Sequence, residues 1–165
     1  MLSRWYELLV RSASSMQSLF LLVIRLYWGW QFAQTGWGKI HHLSKVTGFF
    51  ASLGIPAPTF NAAFVAWLEF LGGILLALGL GSRFIALLLT ADMFVAYLAA
   101  DRPALLAIFS DPGKFYGDDA YTFLFASLLV LIFGPGRFGL DTLFKRPRVT
   151  GRIAMAPGNN SAHAA

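Results

Sequence analysis

Long apolar stretches separated by short polar segments dominate the chain, and they predict four membrane-spanning helices. A helix needs about 20 apolar residues to cross the hydrocarbon core of a bilayer. A water-soluble four-helix bundle would instead show a polar face on every helix, which these stretches lack. We therefore predict an all-α fold, an integral membrane four-helix bundle. The four spans run roughly from Ser15 to Gly38, from Phe60 to Gly81, from Arg83 to Ala100 and from Asp119 to Gly136.

Three shorter segments complete the predicted organisation around a transmembrane domain of residues 15–144. Residues 1–14 place their apolar side chains on one helical face, which predicts an interfacial helix before the first span. The first outer loop, "SKVTGFFASLGIPAPTF", has apolar residues at helical spacing followed by Gly and Pro, which predicts a short amphipathic helix. Residues 145–165 are basic and then small and polar, which is typical of a disordered tail.

Composition supports a lipid environment and excludes some kinds of chemistry. Hydrophobic residues make up 57% of the chain and charged residues 13%, and a soluble domain carries about 25% charged residues. The chain has no cysteine, which excludes disulfides, thiolate metal sites and a Cys nucleophile within it. The net charge of +5 could indicate nucleic-acid binding. However, the basic residues flank the apolar stretches, so we predict contact with lipid and no nucleic-acid partner.

The distribution of Lys and Arg between the loops predicts the orientation. Eight of these residues lie in the two tails and in the turn after the second span, and only four lie in the other two loops. Cytoplasmic loops of membrane proteins are enriched in Lys and Arg, so both termini are predicted to be cytoplasmic. The eight are Arg4, Arg11, Arg83, Arg137, Lys145, Arg146, Arg148 and Arg152; the four are Lys39, Lys45, Arg102 and Lys114.

Three charged residues lie about nine or ten residues into their spans, which places them near the bilayer midplane: Arg25, Glu69 and Asp92. A lone ion at that depth costs roughly 2.5–3.5 kcal/mol on insertion scales, so we predict that the three face inward and compensate one another. Gly73 follows Glu69 by four residues, which places the carboxylate on the small, closely packing face of the second span. The network is either a polar site for a proton, a quinone head group or a small anion, or a structural ion pair.

For the other candidate residues, a structural or interfacial role is an alternative to a functional one. Lys39 either joins the polar site or lies at the outer interface with its ammonium group in water. Trp28, Phe32 and Trp67 are candidates to line a flat ligand, although such residues more often serve packing or the interfacial belt. The adjacent His41 and His42 would point about 100° apart on a helix, so we predict no metal site.

Several motifs together resemble the DoxX family. "RLYWGWQFAQTGWGK" resembles the family's first-helix signature, "WLEFLGGILLALGLGSR" its second-helix block, "ADMFVA" its third and "GPGRFGLD" its C-terminal ending. The outer-loop "FFASLGIPAP" also fits, and the resemblance extends from about Leu19 to Asp141. It implies a four-helix protein of the bacterial inner membrane and identifies Arg25, Lys39 and Glu69 as candidate functional residues. Some relatives are small subunits of a thiosulfate:quinone oxidoreductase, and others associate with superoxide-detoxifying or thiol-oxidising partners.

Two functional hypotheses follow. In the first, the chain is a redox-linked membrane subunit that binds a quinone between the first two spans. Arg25 or Lys39 would stabilise the reduced oxygen and Glu69 would carry the proton. The sequence has no CxxCH, GxGxxG or cysteine, so electrons would come from a partner oxidoreductase, which we favour, or directly from a reduced substrate. In the second, the chain is a non-enzymatic scaffold, assembly factor or small-solute pathway. Four short helices leave little room for a water-filled pathway unless a homo-oligomer forms.

Overall fold

The computed structural model describes residues 2–144, with side chains from residue 5 onward, and this part of the chain is helical without a β-strand. The predicted tail, residues 145–165, lies outside the described residues. Eight helices follow one another: α1 (Leu2–His41), α2 (Leu43–Ser52), α3 (Pro58–Leu78), α4 (Ser82–Ala99), α5 (Arg102–Leu106), α6 (Pro112–Tyr116), α7 (Asp119–Phe133) and α8 (Asp141–Phe144).

The four long helices α1, α3, α4 and α7 form the bundle, which confirms the predicted all-α architecture. The most extensive contacts join α1 to α3 and α4 to α7. The predicted amphipathic helix of the first outer loop is present as α2, which packs against α3. A cluster of buried apolar side chains from all four long helices fills the centre: Phe32, Leu76, Ala86, Leu89, Met93 and Val130.

Within residues 2–144, three helices are long and apolar enough to cross a membrane: α1, α3 and α4. The predicted fourth span corresponds to α7, which has 15 residues and a length of about 22 Å, less than the roughly 30 Å of the hydrocarbon core. Local interactions explain why α7 begins and ends where it does. The Asp118 carboxylate accepts a hydrogen bond from the Ala120 N–H at 2.9 Å, and Gly134 adopts a positive φ of 78°. The cytoplasmic location of the termini stays a prediction.

The first helix is longer than the sequence analysis predicted. We predicted an interfacial helix over residues 1–14 and a separate span, and α1 instead continues without a break for 40 residues, or about 60 Å. The sequence before Gly29 contains neither Gly nor Pro, so nothing interrupts helix propagation there. Whether the first turns lie in the membrane interface stays a prediction.

Close packing of α1 on α3 depends on glycines. A Cβ atom on Gly73 would lie 2.5 Å from the Gly29 carbonyl oxygen, and one on Gly36 would lie 2.7 Å from the Ala66 carbonyl oxygen. Only glycine permits such an approach of two backbones, as in other membrane helix pairs with small residues at four-residue spacing. Because Gly29 faces Gly73 and Gly36 faces Ala66, the two helices are antiparallel and their register is fixed.

Candidate functional site

The two basic residues within the bundle lie at opposite ends of the α1–α3 contact. Arg25 and Lys39 are about 21 Å apart along α1. The Arg25 guanidinium lies against Gly79, just after the end of α3, whereas the Lys39 ammonium reaches Glu69 in the middle of α3. The predicted pairing of Arg25 with Glu69 is therefore wrong. That prediction assumed that all spans start at the same depth in the membrane. The glycine contacts set a different register between α1 and α3, which brings Lys39 to the Glu69 carboxylate.

Arg25 is buried, with 1% of its surface exposed, and backbone carbonyl groups surround it. Its guanidinium donates hydrogen bonds to the carbonyl oxygen of Pro135 and, at 3.3 and 3.5 Å, to those of Phe138 and Ala77. The carbonyl groups at the end of α3 carry partial negative charge, which stabilises a cation there. We call this arrangement the Arg25 clasp: Arg25 with the carbonyl groups of Ala77, Pro135 and Phe138.

The Arg25 clasp explains the "GPGRFGLD" motif. A Cβ atom on Gly139 would lie 2.8 Å from the guanidinium, and Gly134 and Gly136 adopt positive φ angles of 78° and 71°. The carboxylate of Asp141 accepts hydrogen bonds from the N–H groups of Gly81 and Ser82 at 2.7 and 2.8 Å, which satisfies donors at the start of α4. This end of the bundle is thus a hydrogen-bonded closure that ties the α7–α8 segment to the α3–α4 turn.

Lys39 and Glu69 form an ion pair at the other end. The Lys39 Nζ donates to the Glu69 Oε1 at 2.5 Å, and the Glu69 side chain is 2% exposed whereas that of Lys39 is 32% exposed. The prediction that Glu69 faces the inside of the bundle is confirmed. Lys39 was predicted either to join the polar site or to reach the outer interface alone, and the structure brings it to the site.

Asp92 of α4 completes a cluster with Glu69. Both carboxyl groups line the same cavity. Within the described part of the chain, no donor reaches the buried Glu69 Oε2 or Asp92 Oδ2. We call Lys39, Glu69 and Asp92 the polar cluster; it has acceptor oxygens left for a ligand or water.

A cavity of about 610 Å³ lies beside the polar cluster, between α2, α3 and α4. Its walls are mainly apolar, and α2 supplies the aromatic rings of Phe49 and Phe50. The other lining residues are Lys45, Val46, Leu53, Ile55, Asn61, Val65, Met93, Val95, Ala96, Ala99, Ala100 and Asp101. A slightly larger groove of about 660 Å³ between α1 and α7 has no charged residue in its lining, so it offers no comparable chemistry.

The predicted ligand-lining residues lie elsewhere. Trp28 and Phe32 both pack edge-on against Phe123, at ring-centroid distances of 5.2 and 4.6 Å, and Trp67 is half exposed beside Phe70. None of Trp28, Phe32 and Trp67 lines the cavity beside the polar cluster. The aromatic lining comes from α2, whose phenylalanine spacing is visible in the sequence, but the sequence does not show that this helix covers Glu69.

The rings of the histidine pair contact the backbone of their own helix. His41 and His42 each place a ring nitrogen near a carbonyl oxygen one helical turn back, those of Trp37 and Gly38, at 2.9 and 3.0 Å. Within residues 2–144, no group of three or more His, Cys, Asp or Glu side chains could hold a metal ion.

Comparison with known proteins agrees with the sequence motifs. The family model described as DoxX matches residues 20–102, a range that contains Arg25, Lys39, Glu69 and Asp92. The chain is also 34% identical over 144 residues to a Mycobacterium tuberculosis protein named "Uncharacterized membrane protein Rv3486", with 79% of this chain and 85% of that protein covered. No solved structure matches the chain.

Proposed function

This chain belongs to the DoxX family of membrane proteins, and we propose that it binds a quinone in the cavity beside the polar cluster as a subunit working with a partner oxidoreductase. The proposal places the protein in the bacterial inner membrane, with both termini cytoplasmic. The observation that carries it is a pair of buried carboxyl oxygens that no donor reaches among the described residues, Glu69 Oε2 and Asp92 Oδ2, beside a cavity with aromatic walls. Such acceptors suit the hydroxyl groups of the reduced form of a quinone, while the Lys39 ammonium suits the carbonyl oxygens of the oxidised form.

The shape and lining of the cavity support a flat, apolar ligand with a few polar atoms. Its volume of about 610 Å³ lies within the roughly 300–1,000 Å³ typical of small-molecule sites. Phe49 and Phe50 offer faces and edges for a ring, while Val46, Leu53 and Val65 offer apolar contact. A quinone has this character, because its ring is flat and only its two carbonyl oxygens accept hydrogen bonds.

The polar cluster supplies the groups that quinone reduction needs. Conversion of a quinone to a hydroquinone takes up two electrons and two protons, and both carbonyl oxygens become hydroxyl groups. The Lys39 ammonium can donate to one oxygen and stabilise negative charge that develops on it. When protonated, the carboxyl group of Glu69 or of Asp92 can pass its proton to an oxygen as the charge develops, and it is then reprotonated.

The two electrons come from a partner oxidoreductase in this proposal. The sequence contains no cysteine and no haem-attachment or dinucleotide-binding motif that would let this chain carry them. The N-terminal half of α1 gives a surface for such a partner, since Trp5, Tyr6 and Leu9 are each at least two-thirds exposed. The same surface favours the second candidate function, a non-enzymatic scaffold or assembly factor, which could also be a homo-oligomer.

Identification of bound quinone tests the proposal. The protein is purified in mild detergent from native membranes, and the extracted small molecules are identified by mass spectrometry for wild type, Glu69→Gln and Glu7→Gln. Glu7 is exposed at the far end of α1, so it is a matched carboxylate outside the cavity. We expect close to one quinone per chain in wild type and in Glu7→Gln, and at least a tenfold loss in Glu69→Gln.

Thermal unfolding of the same samples separates binding from folding. If Glu69→Gln still unfolds cooperatively, with a loss of only about 1 kcal/mol from the broken ion pair, but lacks quinone, the polar cluster is a ligand site. The proposal fails if wild type carries no quinone and binds none when short-chain benzoquinone or naphthoquinone is added. In that case the polar cluster is a structural ion pair, and the scaffold function becomes the better explanation.

A further inference from the structure

The cavity beside the polar cluster reaches only one end of the bundle. On α4 its lining runs from Asp92 through Ala96 and Ala99 to Asp101, just beyond the end of the helix. On α3 it runs from Glu69 to Asn61, close to the start of that helix. Since α3 and α4 are antiparallel, these two ends coincide, and α2 covers them. The cavity therefore connects the polar cluster with the α2 end of the bundle over about 13 Å.

The opposite half of the bundle is closed. Beyond the polar cluster, Phe32, Leu76 and Leu89 are fully buried in the apolar core. A Cβ atom on Gly73 or Gly29 would collide with the facing backbone, so no space remains between α1 and α3. The Arg25 clasp then seals the far end with hydrogen bonds. In the described part of the chain, the groove of about 420 Å³ at that end, lined in part by Leu21 and Pro135, does not reach the polar cluster. Water therefore comes to the polar cluster from the α2 end.

On the α4 side, the open half of the cavity has room for water, and polar groups lie at its end. Small alanine side chains at positions 96, 99 and 100 leave space along α4, and Asn61 and Asp101 offer hydrogen-bonding groups at the far end. We propose that this half of the cavity is a one-sided aqueous route that delivers protons to Glu69 and Asp92 only from the α2 end of the bundle. The inference deepens the proposed function on which it rests, because it states which aqueous phase exchanges protons when the bound quinone is reduced.

The charged groups along the route support proton exchange. Lys39 from α1 and Lys45 from α2 face the carboxyl groups of Glu69, Asp92 and Asp101 across the cavity. Burial, followed by the neighbouring carboxylates of Asp118 and Asp119, raises the pKa of Asp101 above its ordinary value. The entrance thus holds a carboxyl group that exchanges protons closer to neutral pH than an exposed aspartate does.

Cysteine substitution gives a sharp test because the chain has no cysteine of its own. Single variants Ala96→Cys and Ala99→Cys place a thiol on the route. Phe94→Cys and Leu98→Cys place one on the outer face of the same helix, where the native side chains are 50% and 47% exposed. Each variant is treated with a membrane-impermeant methanethiosulfonate reagent, in spheroplasts and in inverted membrane vesicles, and the labelling rate is measured before and after removal of bound quinone.

We expect the route thiols to react at least tenfold faster than the outer-face thiols, and from one side of the membrane only, because the reactive thiolate forms in water and not in lipid. The proposal is overturned if Ala96→Cys reacts no faster than Phe94→Cys, or if it reacts equally from both sides. The melting temperature of each variant confirms that it is folded. The wild-type quinone content distinguishes the two proposals. If quinone is bound but the route thiols do not react, the aqueous route is wrong and the proposed function stands. If the route thiols react from one side but no quinone is bound, the proposed function is wrong and the aqueous route stands.

Discussion

The two ends of the α1–α3 contact each hold a basic residue, and they differ in what surrounds it. Arg25 is surrounded by backbone carbonyl groups and closely packed neighbours, and it lines neither the cavity beside the polar cluster nor the groove between α1 and α7. Lys39 meets one carboxylate, a second carboxyl group lies beside that one, and a cavity of about 610 Å³ adjoins them. One helix thus carries a structural cation at one end and a candidate functional cation at the other.

The difference teaches how to interpret charged residues inside a membrane bundle. An intramembrane ionisable residue is by default a candidate for function. Arg25 departs from that default because backbone carbonyl oxygens accept from both terminal nitrogens of its guanidinium, and it does not line the cavity beside the polar cluster, although its buried Nε has no partner among the described residues. The polar cluster follows the default, since its carboxyl oxygens outnumber the donors that reach them. Unsatisfied groups and adjoining space, and not burial of a charge alone, identify the candidate site.

Loss of the Arg25 clasp should have the largest effect on stability. Arg25→Met leaves the carbonyl groups of Pro135 and Phe138 without this donor, and each orphaned buried group costs about 1–3 kcal/mol. We expect the free energy of unfolding to fall by about 3 kcal/mol, measured by denaturant or thermal unfolding in detergent. The matched variant Arg83→Met removes an exposed arginine that donates to one carbonyl oxygen, that of Ile132, and should change stability by about 0.5 kcal/mol or less. If Arg25→Met is as stable as wild type but has lost bound quinone, the structural role assigned to Arg25 is wrong.

Substitutions in the polar cluster should lower the free energy of unfolding less than Arg25→Met does. The losses should differ between Lys39 and Glu69. Lys39→Met leaves the buried Glu69 without its cation, and we expect a loss of roughly 2 kcal/mol. Glu69→Gln should cost less, about 1 kcal/mol, since the partly exposed Lys39 can turn toward water and Asp92 remains as an acceptor. The double variant Lys39→Met/Glu69→Gln should be more stable than Lys39→Met alone. Equal losses in the two single variants, with additive losses in the double variant, would contradict the assigned ion pair.

The smallest effect should come from Asp101 at the entrance of the cavity. Its pKa is raised in the folded protein, so folding is disfavoured once the carboxyl ionises, and this cost appears as the pH rises from about 4 through the raised pKa. Asp101→Asn should therefore be more stable than wild type at neutral pH, by less than about 1 kcal/mol, and equal to it below pH 4. The exposed Asp111, whose carboxylate pairs with Lys114 at 3.5 Å, gives the control Asp111→Asn, for which we expect no such gain. Melting temperatures across this pH range in detergent would check both variants.

The sequence by itself determined the existence of the four long helices and of α2, and it identified the family. The apolar stretches predicted the long helices because lipid forces each backbone group to bond within its own segment, a local requirement that length and composition reveal. The same logic located α2 through its apolar spacing and its terminal Gly and Pro. The small residues beside Glu69 also predicted correctly that this carboxylate faces inward.

Only the tertiary structure decided which charges meet. The sequence gives the spacing of Arg25 and Lys39 on α1, but the partner of each depends on how far α1 slides along α3. That register is set by backbone contacts between Gly29, Gly36 and Gly73 and their facing residues, which are distant in the chain. It brings Lys39 to Glu69 and leaves Arg25 to the "GPGRFGLD" segment. The same long-range packing places α2 over Glu69, and this forms the cavity that no local pattern predicts.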